Sequence, residues 1–196
     1  MTDRPRIPLY RLFKANGEPQ IEKTIAACKD KCYRYNALHP NDREGQRAIL
    51  QEMFGTLGEG ATIMPPFWCD YGYNIHIGKN FYANHNLVVT DGAKVTIGDD
   101  VFIAPNCCIT TANHAIDPAQ RKEGMEVAMP VTIGCNVWLG AGTTVLAGVT
   151  IGDNAVIGAG SVVTHDIPAN VVAAGVPCRV LRAIGKEDQS RYPLDE

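Results

Sequence analysis

The sequence predicts a mainly β protein, a parallel β-helix of six-residue repeats with a helical cap at its N-terminus. The repeat carries this prediction. Stepping by six from Ile133 meets Leu139, Val145, Ile151, Ile157 and Val163, all aliphatic. Four residues on from the first five lie Val137, Thr143, Val149, Ala155 and Ser161, all small or β-branched. The same phase recurs upstream at Ile97, Ile103 and Ile109, and again at Ile77, Ala83 and Val89, with one eight-residue step from Val89 to Ile97. A period of six fits no α-helix, because 3.6 does not divide into it. It fits a short strand and a tight turn, repeated: the aliphatic points inward, the small residue sits near the corner, and Gly134, Gly140, Gly152 and Gly158 permit close approach at the bend. Three repeats close a triangular coil, and coils stack at an interstrand spacing of about 4.8 Å into one continuous core. A sandwich of short strands would not need the phase to be kept over so many repeats.

The elements follow in order. Ile21, Ile25, Cys28 and Cys32 fall on one face of a first helix. A second helix is expected to start at Asn41 as its cap, with Glu44 as reciprocal partner, to bury Ile49, Leu50, Met53 and Phe54, and to stop at Gly55. Residues 1–60 thus form a helical cap that covers the open edge of the first coil. Pro65-Pro66 marks the start of the coils, and the β-helix domain is placed at 61–185. Between Ile109 and Ile133 the phase breaks, and residues 110–130, rich in polar residues with Gly124 and Pro130, are expected to leave the prism as an extended loop. Function concentrates on such insertions into rigid scaffolds. The chain beyond Val163 should turn irregular, with Ile184 ending a short helix and 186–196 a tail.

Composition narrows the function. A chain of 196 residues with 45% hydrophobic and 20% charged residues is that of an ordinary globular domain. A formal net charge of -3 gives no basic excess to attract nucleic acid. No apolar run approaches the ~20 residues that span a bilayer, and the N-terminus leads into no signal-peptide core, so a cytoplasmic protein is expected. The seven cysteines are scattered, and no C-x-x-C pair offers a zinc site of the usual spacing. A disulfide framework is not expected, and most of the thiols read as small buried hydrophobes.

Five histidines are candidates for proton transfer: His39, His76, His85, His114 and His165. Only His114 lies on the protruding loop, next to Asn113 and close to Asp117. A general base near neutral pH is most often His, although a lone loop His is commonly a solvated one.

Several stretches resemble the galactoside and maltose O-acetyltransferases of the hexapeptide-repeat class. They are Phe81-Tyr-Ala-Asn-His-Asn86, Ile103-Ala-Pro-Asn106, Asn136-Val-Trp-Leu-Gly140, Gly148-Val-Thr-Ile-Gly-Asp153, Val156-Ile-Gly-Ala-Gly-Ser161 and Val171 through Arg179. The resemblance runs from about residue 10 to 185. It implies a left-handed β-helix, a hand that the period itself does not determine. It implies acetyl transfer from acetyl-CoA to a hydroxyl of a sugar or glycoside, by direct attack in a ternary complex. His114 matches the family's general base, and Asn84 the residue that binds acceptor and donates to the developing oxyanion. Asp70 and Asp91 match acceptor contacts, with Gly92 an alternative alignment for the second. Asn16 stands roughly where relatives carry an acceptor-binding Asp, and Glu126 where they carry Glu or Met beside the His. For the cofactor the matching positions are Trp138, Ala141, Ala159, Thr164, His165, Arg179 and Arg182. His165 replaces the usual Lys, which predicts weaker phosphate binding at high pH. The resemblance also implies a homotrimer with active sites between subunits, and no metal.

Other readings compete. A chloramphenicol- or streptogramin-type acetyltransferase and a serine acetyltransferase share the fold. A zinc carbonic anhydrase on the same β-helix would need two loop histidines five residues apart, and Ala119 lies five after His114. A non-catalytic scaffold would not require the His114, Asn84, Trp138 and Arg179 set.

Overall fold

The computed structural model describes residues 4–5 and 7–189. The part of the expected tail beyond Gln189 lies outside the described residues. The repeats wind into a three-faced parallel β-helix. The first face stacks Thr56–Leu57, Ile75–Ile77, Val95–Ile97, Val131–Ile133 and Thr150–Ile151. The second stacks Thr62–Ile63, Tyr82–Ala83, Phe102–Ile103, Trp138–Leu139, Val156–Ile157 and Val171–Ala174. The third stacks Phe67–Cys69, Leu87–Thr90, Cys108–Thr110, Thr144–Val145 and Val162–Val163.

Register confirms the six-residue phase. Ile77, Ile97, Ile133 and Ile151 form one inward column, Ala83, Ile103, Leu139 and Ile157 the second, and Val89, Ile109, Val145 and Val163 the third. All of them are buried, as are Val137, Thr143, Val149, Ala155 and Ser161. Each fully buried aliphatic of this kind contributes roughly 1.5–3 kcal/mol. The coils begin earlier than expected, because Thr56–Leu57 already pairs with the first face.

The corners are held by polar ladders. Asn80 donates to Asp100 at 2.9 Å, and Asn136 to Asn154 and Asn154 to Asn170 at 2.9 and 2.8 Å. These residues have φ between 53° and 60°, left-handed values that Asn and Asp tolerate better than other side chains.

The cap consists of α1 (Pro19–Asn36) and α2 (Arg43–Met53). Ile21, Cys28, Cys32 and Tyr35 form the buried face of α1, while Ile25 is only partly covered. Asn36 closes the open edge of the first coil as another strand would: its amide nitrogen donates to the Phe67 carbonyl at 3.0 Å and its oxygen accepts from the Phe67 N–H at 2.8 Å. The Tyr35 hydroxyl donates to the Ile63 carbonyl. The cap of α2 is Asp42 rather than Asn41, because the Asp42 carboxylate accepts from the Gly45 N–H at 2.9 Å. The helix ends at Met53, before Gly55, and buries Gln46 besides Leu50 and Met53.

Two further expectations are corrected. The tail is not irregular: Arg179–Ala183 folds back antiparallel on Val171–Ala174, and Ile184 follows that strand rather than a helix. The inserted loop is also ordered. Ala112–His114 and Met125–Ala128 form an antiparallel ribbon joined through the short helix α3 (Pro118–Lys122), and Phe13–Lys14 pairs with the ribbon's other edge. Among the described residues, no helix is long and apolar enough to cross a membrane.

Candidate active site

The site forms where the repeat is irregular. Eight residues separate Cys69 from Ile77, eight separate Val89 from Ile97, and 24 separate Ile109 from Ile133. All three excess lengths fall at the same corner, between the third and first faces. Two enlarged turns and the inserted ribbon are therefore stacked there.

His114 and Glu126 are direct cross-strand partners in the ribbon, with Nδ1 and Oε1 3.7 Å apart. The imidazole is mostly exposed and the carboxylate mostly covered. Burial pushes the Glu126 carboxyl up, His114 pulls it down, and Asp70 raises it again. Asp117 caps α3 by accepting from the Gln120 N–H at 2.9 Å, and Arg121 donates to the carbonyls of Ala115 and Ile116 at 3.0 and 2.8 Å. These bonds fix the chain just after His114.

Two concavities flank this pair. A cavity of about 150 Å³ lies between α1, the N-terminal strand and the enlarged turns, lined by Asn16, Glu22, Asp70, Tyr71, Gly92 and Glu126 among others. It brings together three expected acceptor residues: Asn16, Asp70 and Glu126. Burial raises the Asp70 carboxyl, opposed by the Lys29 cation. On the ribbon's other side an open groove of about 650 Å³ is lined by Tyr10, Leu12, His114, Ile116, Val127 and Met129 among others.

Asp91 does not line the cavity; this expectation is corrected. It is fully buried, and one carboxylate oxygen accepts from the N–H groups of Asp70 and Tyr71 at 3.0 and 2.8 Å. The side chain shapes the wall from behind, while Gly92 forms the surface. Burial pushes its carboxyl up to about 6, against the pull of those two backbone N–H groups.

Asn84 sits elsewhere in the protomer. It lies before the strand Leu87–Thr90, whereas Asp91 and Gly92 follow it, so the two ends stand roughly 15 Å apart. The Asn84 N–H bonds Ile103, that of Ala104 bonds Leu139 and that of Gly140 bonds Ile157, which stacks Asn84 in one corner column with the turns carrying Ala141 and Ala159. Those turns are tightly stacked: a Cβ on Gly140 would meet the Ala159 nitrogen at 2.5 Å. Ala141, Ala159 and the outward ring of Trp138 are exposed on this side. Small residues thus occupy the corner column that also holds Asn84.

The remaining cofactor positions gather around the last coil. His165 and Arg179 line one depression of about 250 Å³ with Asp166, Ile167, Cys178 and Val180. The Thr164 hydroxyl lies 2.8 Å from His165 Nδ1. Arg182 is held bidentately by Asp188 at 2.6 and 2.7 Å, a bond that raises the guanidinium pKa. Tyr71, Glu22 and the apolar groove residues Tyr10, Leu12 and Ile116 escaped the sequence reading. The signal available for Tyr71 was the second eight-residue step, from Cys69 to Ile77.

Six-residue repeats stacked into a three-faced parallel β-helix place the chain in the hexapeptide-repeat class. Residues 130–165 match the bacterial transferase hexapeptide (six repeats) family, and residues 11–58 the maltose acetyltransferase hexapeptide capping motif. The chain is 49% identical over 190 residues to the galactoside O-acetyltransferase of Escherichia coli, covering 97% of this chain and 93% of the relative. A galactoside acetyltransferase in complex with coenzyme A superposes with a TM-score of 0.88 at 48% identity, covering 91% of this chain and 89% of that one. A maltose O-acetyltransferase from Clostridium difficile gives 0.87 at 45% identity, covering 90% and 94%. The chain belongs to the galactoside and maltose O-acetyltransferase family.

Proposed function

We propose that this enzyme transfers an acetyl group from acetyl-CoA to a hydroxyl of a sugar or glycoside, with His114 as general base in a ternary complex. The observation that carries this reading is the cross-strand His114–Glu126 pair, whose carboxylate lines a cavity with Asn16 and Asp70 while its imidazole lines the groove beside it. Carboxylates and amides suit a sugar, because each carboxylate accepts from two neighbouring hydroxyls. The 650 Å³ groove on the other side of His114 leaves room for a thioester to reach the same imidazole.

His114 Nδ1 faces Glu126, which leaves Nε2 to accept the hydroxyl proton. The acceptor oxygen attacks the thioester carbonyl as Nε2 takes that proton. A tetrahedral oxyanion forms, and the Asn84 amide donates to it. When the carbon–sulfur bond breaks, the imidazolium returns the proton to the departing sulfur. General-base assistance supplies roughly 10²–10⁴ in rate, and one oxyanion donor about 3 kcal/mol in comparable enzymes. Trp138, Ala141 and Ala159 form the floor for the pantetheine arm, and Thr164, His165 and Arg179 the polar end for the nucleotide phosphates. Arg182, paired with Asp188 in the free chain, is a further cation for those phosphates.

His114 and Asn84 act together only if they come from different subunits. Their placement on separate corners of one prism supports a closed homotrimer with composite sites.

The test is an acetyl-CoA turnover screen over glucose, maltose, galactosides, thiogalactosides and chloramphenicol. Sugars should be acetylated and chloramphenicol not. His114→Ala should lower turnover at least ~10²-fold. Turnover close to wild type in that variant would remove His114 from the mechanism, and preference for chloramphenicol would reassign the acceptor.

A further inference from the structure

Four sulfur atoms from three separate elements meet beneath the cap. Cys28 and Cys32 stand one turn apart on α1, so their thiols share a side of the helix. Facing them are Cys69, at the end of the strand Phe67–Cys69, and Met53, the last residue of α2. Cys28 Sγ lies 3.5 Å from Cys69 Sγ, and Cys32 Sγ lies 3.8 Å from it. Met53 Sδ lies 3.8 Å from the Cys32 sulfur and 3.7 Å from that of Cys69. The three thiol sulfurs are all within 4.8 Å of one another. All four residues are buried.

A tetrahedral ion with metal–sulfur bonds of about 2.3 Å requires sulfur–sulfur edges of about 3.8 Å. Four of the six edges of such a tetrahedron, at 3.5 to 3.8 Å, are close to that figure, and the Cys28–Cys32 edge is within 4.8 Å. The donor set is soft, three thiols and a thioether, and neither an imidazole nor a carboxylate belongs to it. Thiolates bind Cu(I) and zinc alike, and the thioether, which is not among zinc's usual ligands, turns the set toward Cu(I).

We propose that Cys28, Cys32, Cys69 and Met53 form a buried binding site for a soft monovalent cation of the Cu(I) class, clamping both cap helices to the first coil. Binding displaces thiol protons to solvent, and no electron is transferred. Cys69 directly precedes Asp70, so the ion would also stiffen the wall of the cavity described above. The proposal does not depend on the reaction assigned to that cavity.

The full chain carrying Cys135→Ser, which removes the exposed thiol, is purified under reducing conditions and titrated with Cu(I) against a chromogenic Cu(I) chelator. One equivalent should be withdrawn from the chelator, with a thiolate-to-copper ultraviolet band and a rise in Tm. X-ray absorption at the copper edge should show sulfur alone, at about 2.3 Å. Cys32→Ala and Cys69→Ala should lose the tight equivalent and the Tm shift, and Met53→Leu should weaken binding at least tenfold. Nitrogen or oxygen in the copper shell of the unmutated cluster, no retention by the folded protein, retention unchanged in Cys32→Ala, or a Cys28–Cys69 disulfide formed in place of bound metal would each overturn the proposal. The absorption measurement needs no cluster variant, so it decides the matter even if a substitution prevents folding.

Discussion

At the scale of single residues, the most consequential group lies behind the cavity wall. Asp91 holds the turn carrying Asp70 and Tyr71 through two backbone N–H groups, and its second carboxylate oxygen has no hydrogen-bond partner. Its carboxyl ionises near 3.8 when solvated and is pushed up to about 6 in the folded chain by burial. Between those values the folded state keeps a proton that the unfolded chain has lost, so stability falls as pH rises across the window. The contribution is fully present below about pH 4, gone above about pH 6, and at most about 3 kcal/mol. Asp91→Asn keeps an oxygen for both N–H groups and cannot ionise. Its stability relative to wild type should therefore rise by about 2 kcal/mol between pH 4.5 and 7.5 in urea denaturation. A difference that stays constant with pH would show that Asp91 is neutral throughout or already solvated. The same residue shows why acceptor contacts were only partly legible in the sequence. Asp91 and Gly92 are adjacent, and a one-residue step decides which faces the cavity and which faces the core. Only the backbone path settles that, and it assigns Gly92 to the cavity lining.

At the scale of elements, the six-residue phase was readable because every coil repeats the same requirement: one aliphatic per face, pointing inward. Ile133, Leu139 and Val145 occupy three faces in succession with no need for distant context. The strand Thr56–Leu57 was missed because it follows directly on the second cap helix, with only one aliphatic to carry the phase. The loop was located correctly but not its form, because the partner strand that orders it, Phe13–Lys14, lies about a hundred residues away. The helix cap was misplaced by one residue, since Asn41 and Asp42 are both competent and only local geometry selects Asp42. The corner ladders offer a test of what holds the coils in register. Asn136 has φ of 56° and donates to Asn154. Asn136→Gly loses the ladder bond but fits the dihedral, whereas Asn136→Ala loses the bond and adds strain. Alanine should destabilise by about 1 kcal/mol more than glycine, read as a lower Tm. Equal effects would mean that the ladder alone matters at that corner.

At the scale of the whole molecule, the proposed chemistry does not fit inside one chain. One corner of the prism carries His114, Glu126 and Asp70, and another carries Asn84, Ala141 and Ala159. A rigid β-helix cannot bend one corner onto another, so the two half-sites can meet only between copies. The proposed homotrimer would supply this geometry three times over, each subunit giving its base to one neighbour and its amide to the other. Genetic separation of the halves provides the test. His114→Ala and Asn84→Ala proteins should each be nearly inactive when pure. Unfolded together in equal amounts and refolded, they should assemble at random. A composite site is intact when the Asn84→Ala chain supplies the imidazole and the His114→Ala chain the amide, which random cyclic assembly gives at about a quarter of sites. Roughly that fraction of wild-type turnover should return, and none should return if the proteins are refolded separately and mixed without subunit exchange. Failure to recover activity in mixed trimers shown by mass to contain both chains would place both groups in one protomer's site, or one of them outside the reaction.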